Sequence, residues 1–297
     1  MTRHSKIAVT AAAAATLAAP PTQAQQNVSN ADRSGYIAAN GVKYWYEIRG
    51  KGEPLVLLHG GLFTTELFGP VLTKLAEQRQ VIGIHLQGHG RTELGTRKIN
   101  LIDIGRDLGV VIQKLGFREV DVMGYSFGGG AAFQLAVQHP ELVRRLVLVS
   151  TPYAQNGFFP EILPQQAAVS GAMAGAMKNT PMYSAYVAVA PHPEDFPKLL
   201  DAMGEYMRQP YDWSESVKRL TMPVMLVYGD ADMFRPEHII SFYHLLGGGL
   251  RDAGWMREHM PKNRLAVLPN LTHYEIGAAP ILATTVLPFL EGKSNSQ

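Results

Sequence analysis

The 297-residue chain contains no cysteine. That excludes disulfides, thiolate nucleophiles, zinc–cysteine sites and attachment of a lipid to an N-terminal cysteine. It is compatible with a periplasmic or secreted protein. Charge is scarce too: 18% of residues are Asp, Glu, Lys or Arg, and the formal net charge is +2. No run of Lys or Arg exceeds two residues. A balance so small and so evenly spread argues against nucleic acid or an anionic membrane as partner. No internal repeat and, after the N-terminus, no apolar run of membrane-spanning length is visible. Hydrophobic residues make up 46% of the chain, enough for one large core with a lid and too many for general disorder.

The N-terminus reads as an export signal. Arg3, His4 and Lys6 form a basic head, and Ile7 to Ala19 is an alanine-rich apolar stretch. Pro20 and Pro21 precede the small-x-small site Thr22-Gln23-Ala24, so cleavage is expected after Ala24. A single arginine in the head gives no support to a twin-arginine route. The expected location is periplasmic or secreted.

The remainder alternates short apolar runs with helical spacing. Asn40-Gly41 between Tyr36–Ala38 and Val42–Ile48 is a type I′ hairpin signal. Pro54–Leu58, Val81–Ile84, Val120–Met123, Leu146–Val149, Val224–Tyr228 and Leu265–Leu268 suit strands buried on both faces. Helices are expected at Phe68–Gln78, Leu101–Leu115, through Ala131–Gln138, at about Pro236–Leu246 and at Pro280–Leu290. Such alternation predicts an α/β fold with a mainly parallel sheet and helices on both faces. Between Val149 and Val224 the composition changes to prolines, methionines (173, 177, 182, 203, 207 and 222) and aromatics such as Tyr183, Tyr186, Tyr206 and Trp213. This reads as a helical cap whose methionines and aromatics either wall an apolar ligand site or pack the cap onto the core. The expected division is a signal at 1–24, a linker at 25–34, core at 35–150, cap at 151–216, core again at 217–292 and a tail at 293–297. The long connection Gly247–Asn263 has no assigned role.

Gly124-Tyr125-Ser126-Phe127-Gly128 is the most informative stretch. A strand precedes it and small residues follow, which is the pattern of a nucleophile elbow. A serine hydroxyl needs a base. Of the histidines, His273 stands just beyond a predicted buried strand, whereas His59 adjoins a strand-end glycine loop and reads as structural. The base needs an acid to orient it. Asp230 and Asp232 both follow the strand ending at Tyr228-Gly229, and Asp230 also suits a turn. The tetrahedral oxyanion needs two N–H donors: Phe127 supplies one, and Gly61, or less favourably Leu62, the other.

Five segments together resemble the α/β-hydrolase family, over roughly Tyr36 to Leu290: His59-Gly60-Gly61, Gln87-Gly88-His89-Gly90-Arg91, the Ser126 elbow, Gly229-Asp230-Ala231-Asp232 and Leu271-Thr272-His273. They occur in the family's order, nucleophile, acid, histidine. The resemblance implies an α/β-hydrolase fold with an eight-stranded, mostly parallel sheet, and a Ser126–Asp232–His273 triad, since the family's acid usually lies three residues beyond the glycine. His85 stands where relatives commonly carry Asp, so hydrogen bonding in that loop is expected to differ. A serine nucleophile argues against the dehalogenase and epoxide hydrolase branches, which use a carboxylate. The short His-Gly-Gly loop differs from that of the hormone-sensitive-lipase-like esterases. The expected activity is hydrolysis of a carboxylic ester or lactone of a medium-sized, largely apolar small molecule through an acyl-serine, with no metal or organic cofactor. Perhydrolase or haloperoxidase activity, carbon–carbon bond hydrolysis, and ligand binding without catalysis remain alternatives. Oligomeric state is not legible.

Overall fold

A computed structural model describes residues 32–292. The expected signal, most of the expected linker and the tail lie outside the described residues. Arg33 and Ser34, expected in the linker, already belong to the first strand.

The strands are β1 (Arg33–Ala39), β2 (Val42–Arg49), β3 (Pro54–Leu58), β4 (Gln80–Ile84), β5 (Val120–Tyr125), β6 (Val143–Val149), β7 (Val224–Ala231) and β8 (Arg264–Thr272). They form one sheet in the order β1-β2-β4-β3-β5-β6-β7-β8. β2 is antiparallel to both β1 and β4, and all other pairs are parallel. The β1–β2 hairpin turns on Asn40 (φ 46°) and Gly41 (φ 87°), the two positive φ angles that a type I′ turn demands.

Helices α1 (Gly69–Ala76), α2 (Leu101–Lys114) and α3 (Phe127–Gln138) follow β3, β4 and β5. The Asn100 side chain caps α2 by accepting from the Ile102 N–H, one of the donors a helix start leaves open. Gly116 (φ 90°) ends that helix. Helices α4 (Ile162–Ala167), α5 (Ala174–Met177), α6 (Pro181–Val187), α7 (Phe196–Met207) and α8 (Ser214–Val217) occupy the excursion between β6 and β7. α9 (Pro236–Leu245) and α10 (Pro280–Leu290) complete the chain.

The central strands carry continuous apolar runs because both faces are covered, broken at their N-terminal ends by Asp121 in β5 and Arg144 and Arg145 in β6. In β3, Val56 and Leu58 face the core beneath α2, α3 and the excursion, while Leu55 and Leu57 face a second core beneath α1 and α10. Each such buried leucine contributes about 1.5–3 kcal/mol.

β8 departs from expectation. It is an edge strand, largely part-exposed, with Val267 50% exposed. It also runs on through Pro269, which an edge strand tolerates because one side of its ladder is unpaired. Beyond the Gly229–Leu268 pair the register shifts, and Ala231 next pairs with Thr272. Four residues of β8 therefore pass two of β7, a bulge of the kind that re-aims a strand end.

The two legs of the excursion are stitched together where it leaves the sheet. Ala154 bridges Asp212, Trp213 N–H donates to Tyr153 O at 2.8 Å, and Gln155 N–H donates to Tyr211 O at 3.0 Å.

Candidate active site

Every sequence-predicted site residue follows the C-terminal end of a parallel strand: Gly61 after β3, Ser126 after β5, Asp232 after β7 and His273 after β8. That edge is where open α/β sheets place ligands. β5 neighbours β3 and β6, and β7 and β8 come next in order, so residues distant in sequence meet on one rim.

Ser126 has φ 53° and ψ −117°, a strained conformation for a residue with a side chain. Tight packing holds it there. Its N–H donates to Val149 O at 2.9 Å, and its carbonyl accepts from Gly130 N–H at 3.0 Å. A Cβ on Gly124 would stand 2.3 Å from Gly128 O, across the turn. A Cβ on Gly128 would stand 2.3 Å from His59 O and 2.5 Å from Leu58 O, at the end of β3. The first glycine closes the turn, and the second lets the elbow press against the neighbouring strand. Ser126 also precedes the first residue of α3, where the helix end is positive.

The structure brings Ser126, His273 and Asp232 together. His273 Nε2 lies 3.0 Å from Ser126 Oγ, and Nδ1 lies 3.1 Å from Asp232 Oδ1. The His273 side chain is 8% exposed and that of Asp232 1%. Tyr125 holds the imidazole from one side, its ring 5.4 Å from the His273 ring and its hydroxyl donating to the His273 carbonyl. The Phe234 ring meets it edge-on at 5.6 Å. Asp232 is saturated. Oδ1 also accepts from Met233 N–H at 2.8 Å, and Oδ2 accepts from Ser150 Oγ at 2.5 Å and from Gly229 N–H at 3.3 Å. Asp230 is exposed and does not reach the imidazole. Its Oδ1 accepts from Leu271 N–H at 3.2 Å, tying the ends of β7 and β8.

Ser150 escaped the sequence reading. It is fully buried with φ 47°, and the only hint was a small polar residue directly after a buried strand.

His59 anchors the glycine loop after β3. Leu86 N–H donates to its Nε2 at 3.0 Å, so the ring proton sits on Nδ1 and is donated to Gly60 O at 2.8 Å. Burial, and then the neighbouring His89 and His85, hold its pKa well below the usual imidazole value, so it stays neutral. Leu62 in this loop has φ 63°. His89 donates from Nδ1 to Gln87 O at 2.9 Å and stacks on Phe127 at 5.4 Å. His85, in place of the family's Asp, accepts from Arg91 N–H at 3.0 Å and lies 3.1 Å from Thr65 Oγ1, which donates to Glu47. An imidazole thus bridges the glycine loop to β2, a link that a shorter carboxylate side chain would make differently.

Ser126 and His273 open onto a cavity of about 270 Å³ between the rim and the excursion. Gly61, Leu62 and Phe127 line it, as do Met182, Met203, Met207 and Met233, with Phe158, Tyr206, Tyr211, Trp213 and Phe234. Of the six cap methionines singled out from sequence, three reach the cavity. Tyr183 and Tyr186 instead pack against Phe196 inside the excursion. Among the described residues, no Asp, Glu, Lys or Arg lines this cavity. A shallower depression on α9, lined by Pro236, Ile240 and His244 among others, shares no lining residue with it. No group of His, Asp and Glu among the described residues is arranged to hold a metal ion, and no helix among them is long and apolar enough to cross a membrane.

Comparison with known proteins agrees with this architecture. Residues 53–178 match the family model described as alpha/beta hydrolase fold. The 2-hydroxymuconate semialdehyde hydrolase of Pseudomonas sp. (strain CF600) is 36% identical over 119 residues, which span 39% of this chain and only 42% of that protein. The pimeloyl-[acyl-carrier protein] methyl ester esterase of Nitrosomonas europaea is 26% identical over 76% of this chain and 91% of its own. Among solved structures, a thermophilic esterase from Thermogutta terrifontis shares the fold with TM-score 0.68 at 18% identity, over 88% of this chain and 98% of that one. Sheet order, elbow and sequence match agree: the chain has the α/β-hydrolase fold, and its residues 53–178 match that family's model.

Proposed function

We propose that the protein is a serine hydrolase that cleaves a carboxylic ester or lactone of a small, uncharged, largely apolar molecule. One observation carries this reading: the hydrogen-bonded Ser126–His273–Asp232 set opens onto a cavity lined, among the described residues, by no Asp, Glu, Lys or Arg. The relatives and structural neighbours named as esterases support it.

In this reading Ser126 Oγ attacks the carbonyl carbon while His273 Nε2 takes its proton. Asp232 keeps the imidazole in the tautomer with its proton on Nδ1 and stabilises the cation as it forms. The N–H groups of Phe127 and Gly61 receive the oxyanion, each donor contributing about 3 kcal/mol to the transition state. The tetrahedral intermediate collapses, the alcohol leaves with the proton from His273, and an acyl-serine remains. His273 then deprotonates water, which releases the acid. This chemistry calls on no group beyond the chain. On the strength of residues 1–24, export to the periplasm or outside the cell belongs to the same proposal.

A fluorophosphonate followed by mass spectrometry is expected to place the adduct on Ser126. Ser126→Ala is expected to abolish turnover of short p-nitrophenyl esters with an unchanged circular dichroism spectrum. Retained turnover, or labelling elsewhere, overturns the assignment.

A further inference from the structure

The cavity is apolar apart from a few groups, and two of those are unusual. Tyr206, at the end of α7, and Tyr211, in the leg that returns to the sheet, both line it. Among the described residues, neither phenol hydroxyl has a hydrogen-bond partner. Neither is among the unpartnered polar atoms sealed from solvent, and both residues line the cavity. The neighbouring Tyr228, by contrast, donates to Thr151 O at 2.6 Å.

The pair is held in place by its rings. Tyr206 meets Phe127 edge-on at 5.4 Å, beside the residue that follows the nucleophile. Tyr211 packs on Trp213 at 4.6 Å. Burial raises the pKa of both phenols, and Tyr211 is raised further by its neighbours Tyr206 and Tyr228. Both therefore remain protonated donors, and Tyr211 lies close enough to Tyr206 to feel its charge. A hydrophobic wall would be served as well by phenylalanine, and these hydroxyls, with no protein acceptor, are free to donate to a ligand.

We propose that Tyr206 and Tyr211 form a second recognition site, which donates hydrogen bonds to an uncharged oxygen of the substrate other than that of the scissile carbonyl. The class of ligand is a ketone, ether or second ester oxygen. A carboxylate is disfavoured, because among the described residues no Lys or Arg lines the cavity to offset its charge. The inference rests on the ester hydrolase reading and narrows its substrate: an apolar skeleton with two separated oxygen functions.

The test uses matched pairs of p-nitrophenyl hexanoate and its analogue with a ketone near the far end of the acyl chain, and hexyl acetate with its ketone analogue on the alcohol side. The quantity read is the ratio of kcat/KM for the ketone over the plain ester, which cancels general damage to the enzyme. In at least one pair the ratio is expected to fall about fivefold in Tyr206→Phe or Tyr211→Phe, the worth of one neutral hydrogen bond, and further in the double variant. Ratios unchanged in both pairs for all three variants overturn the proposal. If the wild-type chain cleaves none of these esters, the hydrolase reading fails on its own. The recognition site is then judged by calorimetric affinity of the Ser126→Ala chain for the same pairs. A ketone preference lost on Tyr→Phe substitution supports it, and no preference, or no binding, overturns it.

Discussion

At the scale of single residues, the carboxylate beside His273 is the sharpest point. Asp232 accepts from four groups and Asp230 from one backbone N–H. If the proposed function holds, Asp232→Asn is expected to lower kcat by about 10⁴, as loss of the orienting carboxylate does in serine–histidine–aspartate triads. Asp230→Asn is expected to change it less than tenfold, and the reverse order in steady-state kinetics would exchange their roles. Ser150 is a positioning residue in this scheme, because it touches Asp232 and not the reacting atoms. Ser150→Ala removes a charge-assisted hydrogen bond, so kcat is expected to fall about tenfold with KM little changed. Ser150→Thr, which keeps the hydroxyl, is expected to recover part of the loss if the positive φ tolerates it, and equal kcat for wild type and Ser150→Ala would remove the serine from the scheme. Ser126, His273 and Asp232 were legible because each type has a chemical reason to stand after a strand. Ser150 and the Tyr206–Tyr211 pair were not, because their significance lies in partners that only the folded chain reveals.

At the scale of elements, the elbow is the least forgiving. Gly128→Ala would drive a methyl group into the carbonyls at the end of β3. Backbone cannot rotate away as a side chain can, so a loss of several kcal/mol, or insoluble protein, is expected. Gly175→Ala in α5 is the control, with open space around the added carbon. It is expected to be neutral or to stabilise by about 0.5–1 kcal/mol. Urea midpoints of the two variants test the contrast, and a tolerated Gly128→Ala would mean that the elbow can shift away from β3. The buried strands could be read to within a few residues because a strand covered on both faces leaves a continuous apolar run. β8 was read short, because Pro269 looks like a stop until the strand is known to lie at the sheet edge. The helices of the excursion were not delimited at all. They are short, interrupted by proline and glycine, and apolar on more than one side because they face both core and cavity.

At the scale of the whole molecule, acid is the expected weakness. Burial, acting first, keeps His59, His89 and His238 neutral, and the latter two are brought down to about 4. In the unfolded chain each takes up a proton near the ordinary value of about 6.5. Between these values the unfolded state binds more protons, so stability falls as pH falls. Their contribution is complete above about pH 6.5 and is lost on the way to pH 4, at roughly 3 kcal/mol for each of His89 and His238. The urea midpoint at about pH 4.5 is expected to lie well below that at pH 7.5, and His238→Gln to flatten the slope. A midpoint independent of pH over this range would show that these rings take up protons in the native state as readily as in the unfolded chain.

The stitched neck of the excursion has an evolutionary corollary. Its two legs are hydrogen-bonded to each other where they leave the sheet, at Tyr153–Gln155 and Tyr211–Trp213. The stretch from Ile162 to Met207 is the part open to replacement as a cassette, because the legs arrive already side by side and β6 and β7 need not move, whereas Gly157 and Phe159 stay, since they are hydrogen-bonded to Arg235 and Met233 next to Asp232. A lineage can thus exchange the roof of the reaction chamber for another without reinventing the machinery beneath it, and a protein engineer can cut at the same seam.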